Sequence, residues 1–487
     1  MVTNSDFDSL RNSSVNRRNM LRILGAGVAS AAALPILSAC TGASSAATSS
    51  SSTSSASSAS AASSAASMAP ASGSSSMAPA MSSAPSSAMA ASSPASSMAQ
   101  VGGSVTFGSN ASDAVPKAAY ANVFKAFKAA TGVDTKVNTV DHNSFQENIN
   151  NYLQGSPDQV FTWFAGNRMQ FFAAQGLLTP IDDVWAGIES QYSAGFKSAS
   201  TAADGKKYFI PFYNYPWAFF YRPSVFKAKG YTVPKTLDEL KTLSAKMMKD
   251  GLVPIAFADK DGWPAMGTFD YLNQRINGYQ FHMDLVATHK ESWTDPKVKT
   301  VFDTWKSLFP YLQTQALGRT WQEAAQTLVK KQAGMYLLGM FVGQQFPVGD
   351  TDVDFFPFPE VDSNIGMDAV EAPIDGFLLS SKGESPQAKA MMTYLASPEA
   401  QLLYLGADPS NVAANKTAST AKYSALQKHA VELISSAKTI SQFLDRDSRP
   451  DFASPVVIPA LQQFLKDGDT DSVTKSLEAQ AKTIFTS

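Results

Sequence analysis

From Thr41 to Gln100 the chain runs for 60 residues without a charge, an aromatic ring or a branched aliphatic side chain; it is almost wholly Ser and Ala, with scattered Met, Pro, Gly and Thr. A segment with so little apolar surface to bury cannot offset the entropy lost on ordering, so no core can be built from it. Any fold must be assembled from about Val101 onward. That leaves roughly 390 residues, more than one hydrophobic core usually organises, and so predicts two lobes. The segment itself reads as a tether with a root-mean-square span of about 40–45 Å, and its Ser, Thr and Pro content suits O-glycosylation.

What precedes the tether reads as an export signal. Arg17 and Arg18 stand before a weakly apolar run, Ile23–Leu37, which is too short for a spanning helix of roughly 20 residues and ends at small residues. Leu37-Ser38-Ala39-Cys40 resembles a bacterial lipoprotein lipobox, which implies that Cys40 is acylated after cleavage. Asn16–Leu21 resembles a twin-arginine motif, although an ordinary Sec signal with two adjacent arginines also fits. Cys40 is the only cysteine, so neither a disulfide framework nor a cysteine metal cluster is available.

Removing residues 1–39 takes away four Arg and two Asp and leaves a net charge of −4, which argues against a nucleic-acid-binding body. Beyond Val101, strands and helices alternate. Val105–Gly108 reads as a strand, Val115–Thr131 as a helix stopped by Gly132, and Val133–Thr139 as a strand. A helix opened by the capping-box spacing Ser144-Phe-Gln-Glu147 follows, then a buried strand Val160–Phe164 and a helix Arg168–Gln175. Such alternation predicts an α/β protein with mostly parallel sheets covered by helices. Thr236-Leu-Asp-Glu239 repeats the capping spacing, and Ser385-Pro386, Ser397-Pro398 and Ser454-Pro455 each fit an N-cap followed by proline at the first helical position.

Several stretches resemble, in order, the family 1 extracellular solute-binding proteins, the sugar receptors of ABC importers. They are Asp204–Pro211, Tyr221–Phe226, Tyr231–Glu239, Gly251–Ala256, Gly334–Gly339, Pro386–Leu395 and Ile458–Leu465. The resemblance implies a two-lobed periplasmic-binding-protein-like fold of type II, each lobe a mixed, mostly parallel sheet flanked by helices, with the ligand in the cleft between. It places the crossings near Phe212–Pro216, Val370–Ile374 and Val431–Lys438. The implied organisation is residues 1–39 export signal, 40–103 lipid-anchored tether, 104–212 plus 374–432 one lobe, and 213–373 plus 433–487 the other. The partners it implies are a carbohydrate and an importer permease. The chain would act as a monomer held by a lipid on Cys40 at the outer face of the cytoplasmic membrane.

A pyranose offers C–H faces to aromatic rings and a rim of hydroxyls to planar polar groups. All seven tryptophans lie in the body, from Trp163 onward. Trp163, Phe164, Asn167 and Arg168 fall at the end of a predicted parallel strand, where ligands of open α/β sheets bind; either Trp163 or Phe164 could do the stacking. Tyr213, Tyr215 and Trp217 crowd the first crossing. Asp261 and Trp263 match a family loop that pairs an acid with a stacking ring, and Phe341 stands where the family often has tryptophan. Asp375 lies near the second crossing, Asp447, Arg449 and Asp451 in a late proline-flanked loop could close on the ligand, and Asp270 or Gln274 could point inward. No cofactor, metal site or catalytic residue is expected. None of the four histidines sits in a metal-binding or nucleophile motif, and GxSxG, Walker and GxGxxG patterns are absent. A polyamine receptor of the same fold, an exported glycoside hydrolase with paired carboxylates and a wall-tethered adhesin are the alternatives to a sugar receptor.

Overall fold

A computed structural model describes residues 99–485; the export signal, Cys40 and nearly all of the tether lie outside the described residues. The strands, in chain order, are β1 (Ser104–Ser109), β2 (Asp134–Thr139), β3 (Val160–Phe164), β4 (Phe209–Asn214), β5 (Trp217–Tyr221) and β6 (Val253–Ala256). They continue with β7 (Ala333–Gly339), β8 (Asp354–Phe356), β9 (Ala369–Glu371), β10 (Ile374–Leu379), β11 (Val412–Ala413) and β12 (Thr439–Ser441). Two sheets form the two lobes: one in the order β11-β4-β10-β3-β1-β2, the other β6-β7-β5-β8. No helix among the described residues is long and apolar enough to cross a membrane.

Local chemistry explains the first lobe. Helix Ala114–Thr131 turns Tyr120, Val123, Phe124 and Phe127 to the core and stops at Gly132, whose φ of 72° suits the left-handed cap. β3 is buried at all its positions, as a central strand should be. β2 is the edge of the sheet, so its alternation does not translate into burial, and Val137 stays 44% exposed. Thr236, Ser385 and Ser397 cap their helices as the spacing predicts. Two expected caps differ. Asp141, not Ser144, caps helix His142–Gln154 by accepting the Ser144 N–H at 3.0 Å, since a carboxylate three residues upstream reaches that donor first. Ser454 lies in a π-helical turn and accepts a hydrogen bond from Arg168 instead.

Parallel pairing holds for β1 with β2, β1 with β3, and β6 with β7. It fails where the chain re-enters a sheet from the other lobe: β10 runs antiparallel to β3 and β4, and β5 antiparallel to β7 and β8. β4 continues to Asn214, two residues past the expected lobe boundary at Phe212. The chain then crosses at Tyr215-Pro216, returns between β9 and β10, and crosses again before β12. The second and third crossings run side by side as the parallel pair β9/β12.

A register shift at Asp375/Gly376 lets β4 bulge against β10, and such a bulge re-aims the side chains beside it. Pro211, which has no N–H to give the ladder, sits opposite Gly376. A Cβ on Gly376 would lie 1.9 Å from the Ile210 carbonyl oxygen, a backbone atom that cannot swing away. Gly376→Val is therefore expected to cost about 3 kcal/mol or more in urea unfolding; an unchanged midpoint would show that β4 and β10 separate freely.

Candidate functional site

The strand ends and crossings converge on a cavity of about 390 Å³ between the lobes. Phe164 closes β3, Tyr213 lies on β4 and Asp375 on β10. Asn143, in the first turn of helix His142–Gln154, comes from the same lobe. The opposite wall is made by Trp217 on β5, Asp261 and Trp263 after β6, Trp321 and Phe341. Phe443, Asp445 and Arg446 enter after the third crossing.

The aromatic wall is built edge to face. Trp217 meets Trp263 at 6.1 Å and Phe341 at 5.9 Å; Trp263 meets Phe341 at 6.0 Å, and Trp321 meets Phe341 at 5.1 Å, all near perpendicular. Perpendicular packing satisfies the ring quadrupoles, the edge of one ring meeting the face of the next. Trp217 is 2% exposed and is admitted by Gly267, where a Cβ would come within 2.4 Å of its indole nitrogen. Trp263 and Phe341 are only partly buried, so theirs are the faces presented to the cavity.

The floor is ionic. Arg446 donates to Asp375 at 2.6 Å and to the Tyr215 hydroxyl at 3.1 Å, lies over the Phe164 ring at 4.1 Å, and has Asp445 3.8 Å from its Nε. Burial opposes its charge, but Asp375 and Asp445 outweigh burial and hold the guanidinium above its ordinary value. Burial pushes the Asp375 carboxyl up, and Arg446 pulls it part of the way back. His142, on the wall, is held down at about 4 by burial and by the charge of Arg446, so its imidazole is neutral at physiological pH. The turn that carries Arg446 is itself pinned. Asp270 accepts the Leu444 N–H at 2.8 Å, and Asp447 accepts those of Gln442 and Phe443.

Nine of the expected site residues line the cavity: Trp163, Phe164, Tyr213, Tyr215, Trp217, Asp261, Trp263, Phe341 and Asp375. Trp163 is 1% exposed, with its ring packed against Phe145 and Phe172, and the face of Phe164 is taken by Arg446, so neither offers a stacking surface. Asn167, Arg168 and Arg449 are placed elsewhere. Asn167 donates to the Asp447 carbonyl. Arg168 is buried, bonds Gln146 and Ser454, and lies 3.6 Å from Asp445. Arg449 forks onto Asp451 two residues away, a local pairing that holds both outside the cleft. Asp270 and Gln274 are fully buried supports.

The sequence reading missed Asn143, Trp321, Phe443, Asp445 and Arg446. Trp321 could have been found from Thr320-Trp-Gln-Glu323, a complete capping box that marks a helix start beside the cleft. Arg446 had no comparable signal, because only the pinned turn decides which charge of Asp445–Asp451 faces inward.

Cleft, crossings and sheets together define a two-lobed solute receptor. The chain matches the family described as bacterial extracellular solute-binding protein over residues 110–402, and it belongs to that family. It is 25% identical over 296 residues to an uncharacterized ABC transporter extracellular-binding protein of Pyrococcus horikoshii, spanning 59% of this chain and 65% of that protein's length. It is 26% identical over 314 residues to the alpha-glucosides-binding periplasmic protein AglE of Rhizobium meliloti, spanning 59% of this chain and 68% of the relative. Among solved structures it resembles the bacterial solute receptor AcbH, described as having an exclusive preference for β-D-galactopyranose. That likeness has 48% identity and a TM-score of 0.78, and covers 79% of this chain and all of AcbH. A chitin oligosaccharide binding protein, 20% identical with a TM-score of 0.71, shares the fold.

The loop that presents Asp261 and Trp263 depends on Asp259, which is fully buried and accepts the Ala265 N–H at 2.8 Å while its other carboxylate oxygen finds no partner. Burial raises its carboxyl to about 8, so it is protonated in the folded chain at neutral pH. In the unfolded chain it titrates near about 4. Between those values the folded state holds a proton that the unfolded state has lost, so this contribution to stability falls as pH rises. Asp259→Asn removes the titration. The melting temperature of wild type minus that of the variant should fall between pH 5 and pH 9; a difference independent of pH would mean that Asp259 is ionised in the fold.

Proposed function

We propose that this receptor captures a single hexopyranose of the galactose type and, on closing, delivers it to the permease of an ABC importer. The observation that carries the reading is the pairing of free aromatic faces on Trp263 and Phe341 with an ionic floor of Asp375, Arg446 and Tyr215, inside a cavity of about 390 Å³. A pocket of that volume lies toward the small end for ligand sites and suits one sugar ring better than a chain of them. The likeness to AcbH supports galactose as the first candidate.

Five aspartates line the cavity, as a polyamine site would require, but three are hydrogen-bonded within the protein, Asp445 is flanked by two arginines, and only Asp113 is loosely held. Asp141 caps a helix, Asp261 accepts from Asn143, Asp375 pairs with Arg446, Asp445 lies between Arg168 and Arg446, and Asp113 faces Gln322. Carboxylates so engaged support binding of a neutral hydroxylated ligand. Acting as a receptor rather than a catalyst, the chain turns over no sugar.

Residues 104–214 with 374–432 form one moving lobe and the remainder of the body the other. A ligand touching both favours the closed form by its differential affinity. The mature chain begins at an acylated Cys40 on the outer face of the cytoplasmic membrane and works as a monomer, its tether keeping cargo at high effective concentration near the permease.

Thermal melting of the body with galactose, glucose, maltose, raffinose and spermidine tests the reading. A ligand at 100 times its dissociation constant adds about 2.7 kcal/mol, enough for a shift of a few degrees. Galactose should give the largest shift, and Trp263→Ala should weaken binding about tenfold or more without lowering the ligand-free midpoint appreciably. A shift from spermidine alone would overturn the sugar reading.

A further inference from the structure

Across the mouth of the cleft, one side chain is bound from the opposite lobe by two partners of opposite hydrogen-bonding character. Asn143 stands in the first turn of helix His142–Gln154, in the lobe of the six-stranded sheet. Its Nδ2 donates to Asp261 Oδ1 at 2.9 Å, and its Oδ1 accepts from Trp263 Nε1 at 3.3 Å. An indole N–H can only donate and a carboxylate can only accept, so the pair fixes the orientation of the amide and demands a group with both functions. Asp261 is thereby engaged by the protein through its bond to Asn143.

We propose that Asn143 is a latch residue that holds the two lobes together and locks the Trp263 ring in its ligand-facing orientation. This rests on the reading of the cleft as a sugar site, and it reassigns Asp261 from a sugar contact to the acceptor of the latch. Gln322 also reaches across to Asp113, but at 3.4 and 3.5 Å it is too stretched to serve alone, and Gln344, which donates to the buried Asp408 at 2.9 Å, joins the lobes without touching a stacking ring. The floor cannot serve either. Arg446 and Asp375 stand beside the crossings that adjoin β12 and β10, where relative motion of the lobes is smallest, whereas Asn143 lies in the first turn of its helix and Asp261 in the loop after β6, both outside the crossing segments. A latch that forms whenever the lobes close, with or without ligand, acts on escape of the ligand and leaves encounter untouched.

The full body is tested in a cycle of Asn143→Asp, Asp261→Asn and the double variant, with Asn143→Ala as control, by stopped-flow galactose binding through tryptophan fluorescence and by small-angle scattering. Asn143→Asp puts two carboxylates face to face, whereas in the double variant an aspartate at 143 can accept from both an amide at 261 and the indole. Asn143→Ala and Asn143→Asp should each raise the dissociation rate about tenfold or more with the association rate unchanged. In the Asp261→Asn background, Asn143→Asp should cost less than threefold. An equal penalty in both backgrounds, or a loss confined to the association rate, would overturn the latch. If wild type binds no sugar, the sugar reading fails instead, and scattering still judges the latch. Asn143→Asp should then expand the ligand-free body and the double variant restore its dimensions; no expansion would overturn it.

Discussion

The bond between Arg446 and Asp375 is the constraint around which the cleft is arranged. A guanidinium taken out of water is expensive unless it is both paired and hydrogen-bonded. Arg446 meets that demand with a carboxylate at 2.6 Å, a phenol at 3.1 Å and the face of Phe164 at 4.1 Å. Each partner then needs its own support. Asp375 is aimed by the bulge that Gly376 permits, Tyr215 sits at the first crossing, and the turn of Arg446 hangs on Asp270 and Asp447. The floor is thus made by one residue from each of the three crossings, which ties site formation to correct assembly of both lobes.

The aromatic wall follows a different logic. Trp217, Trp263, Trp321 and Phe341 come from four separate segments of one lobe and meet edge to face, and a hydrogen bond from the Trp263 indole to Asn143 of the other lobe completes the restraint. Rigid rings lose little freedom on binding, and this keeps the entropic cost of stacking low. Polar floor and apolar wall together offer what a sugar with C–H faces and a hydroxyl rim requires.

Legibility in the sequence tracked the range of the interaction. Helix starts set by neighbours, such as Thr236, Ser385 and Ser397, and the buried run of β3 were readable because their causes lie within a few residues. The direction of β10 was not, because it depends on where the chain has been between β4 and β9. The resemblance of the loops brought Trp263, Asp261 and Asp375 to the cleft. It failed at Trp163, whose ring packs into the core, and the late loop failed at Arg449, whose local fork with Asp451 holds it elsewhere. Ser454 shows the same limit: its serine-proline pair has the chemistry of a cap, but the buried Arg168 claims the hydroxyl.

Floor and mouth divide the work of a receptor that must both hold and release. Bonds near the crossings change little as lobes swing, so the Arg446 floor can recognise a ligand in the open form without resisting opening. Bonds at the rim change most, so a small rim interaction has the longest lever on the open–closed equilibrium. A net hydrogen bond to a charged acceptor contributes about 1.5–3 kcal/mol, comparable with the bias needed to move such an equilibrium by one or two powers of ten. Stronger rim contacts would stabilise closure without cargo and present an empty receptor to its importer. An amide shared between one carboxylate and one indole is strong enough to complete closure around a ligand and weak enough to let the lobes part once the ligand is gone.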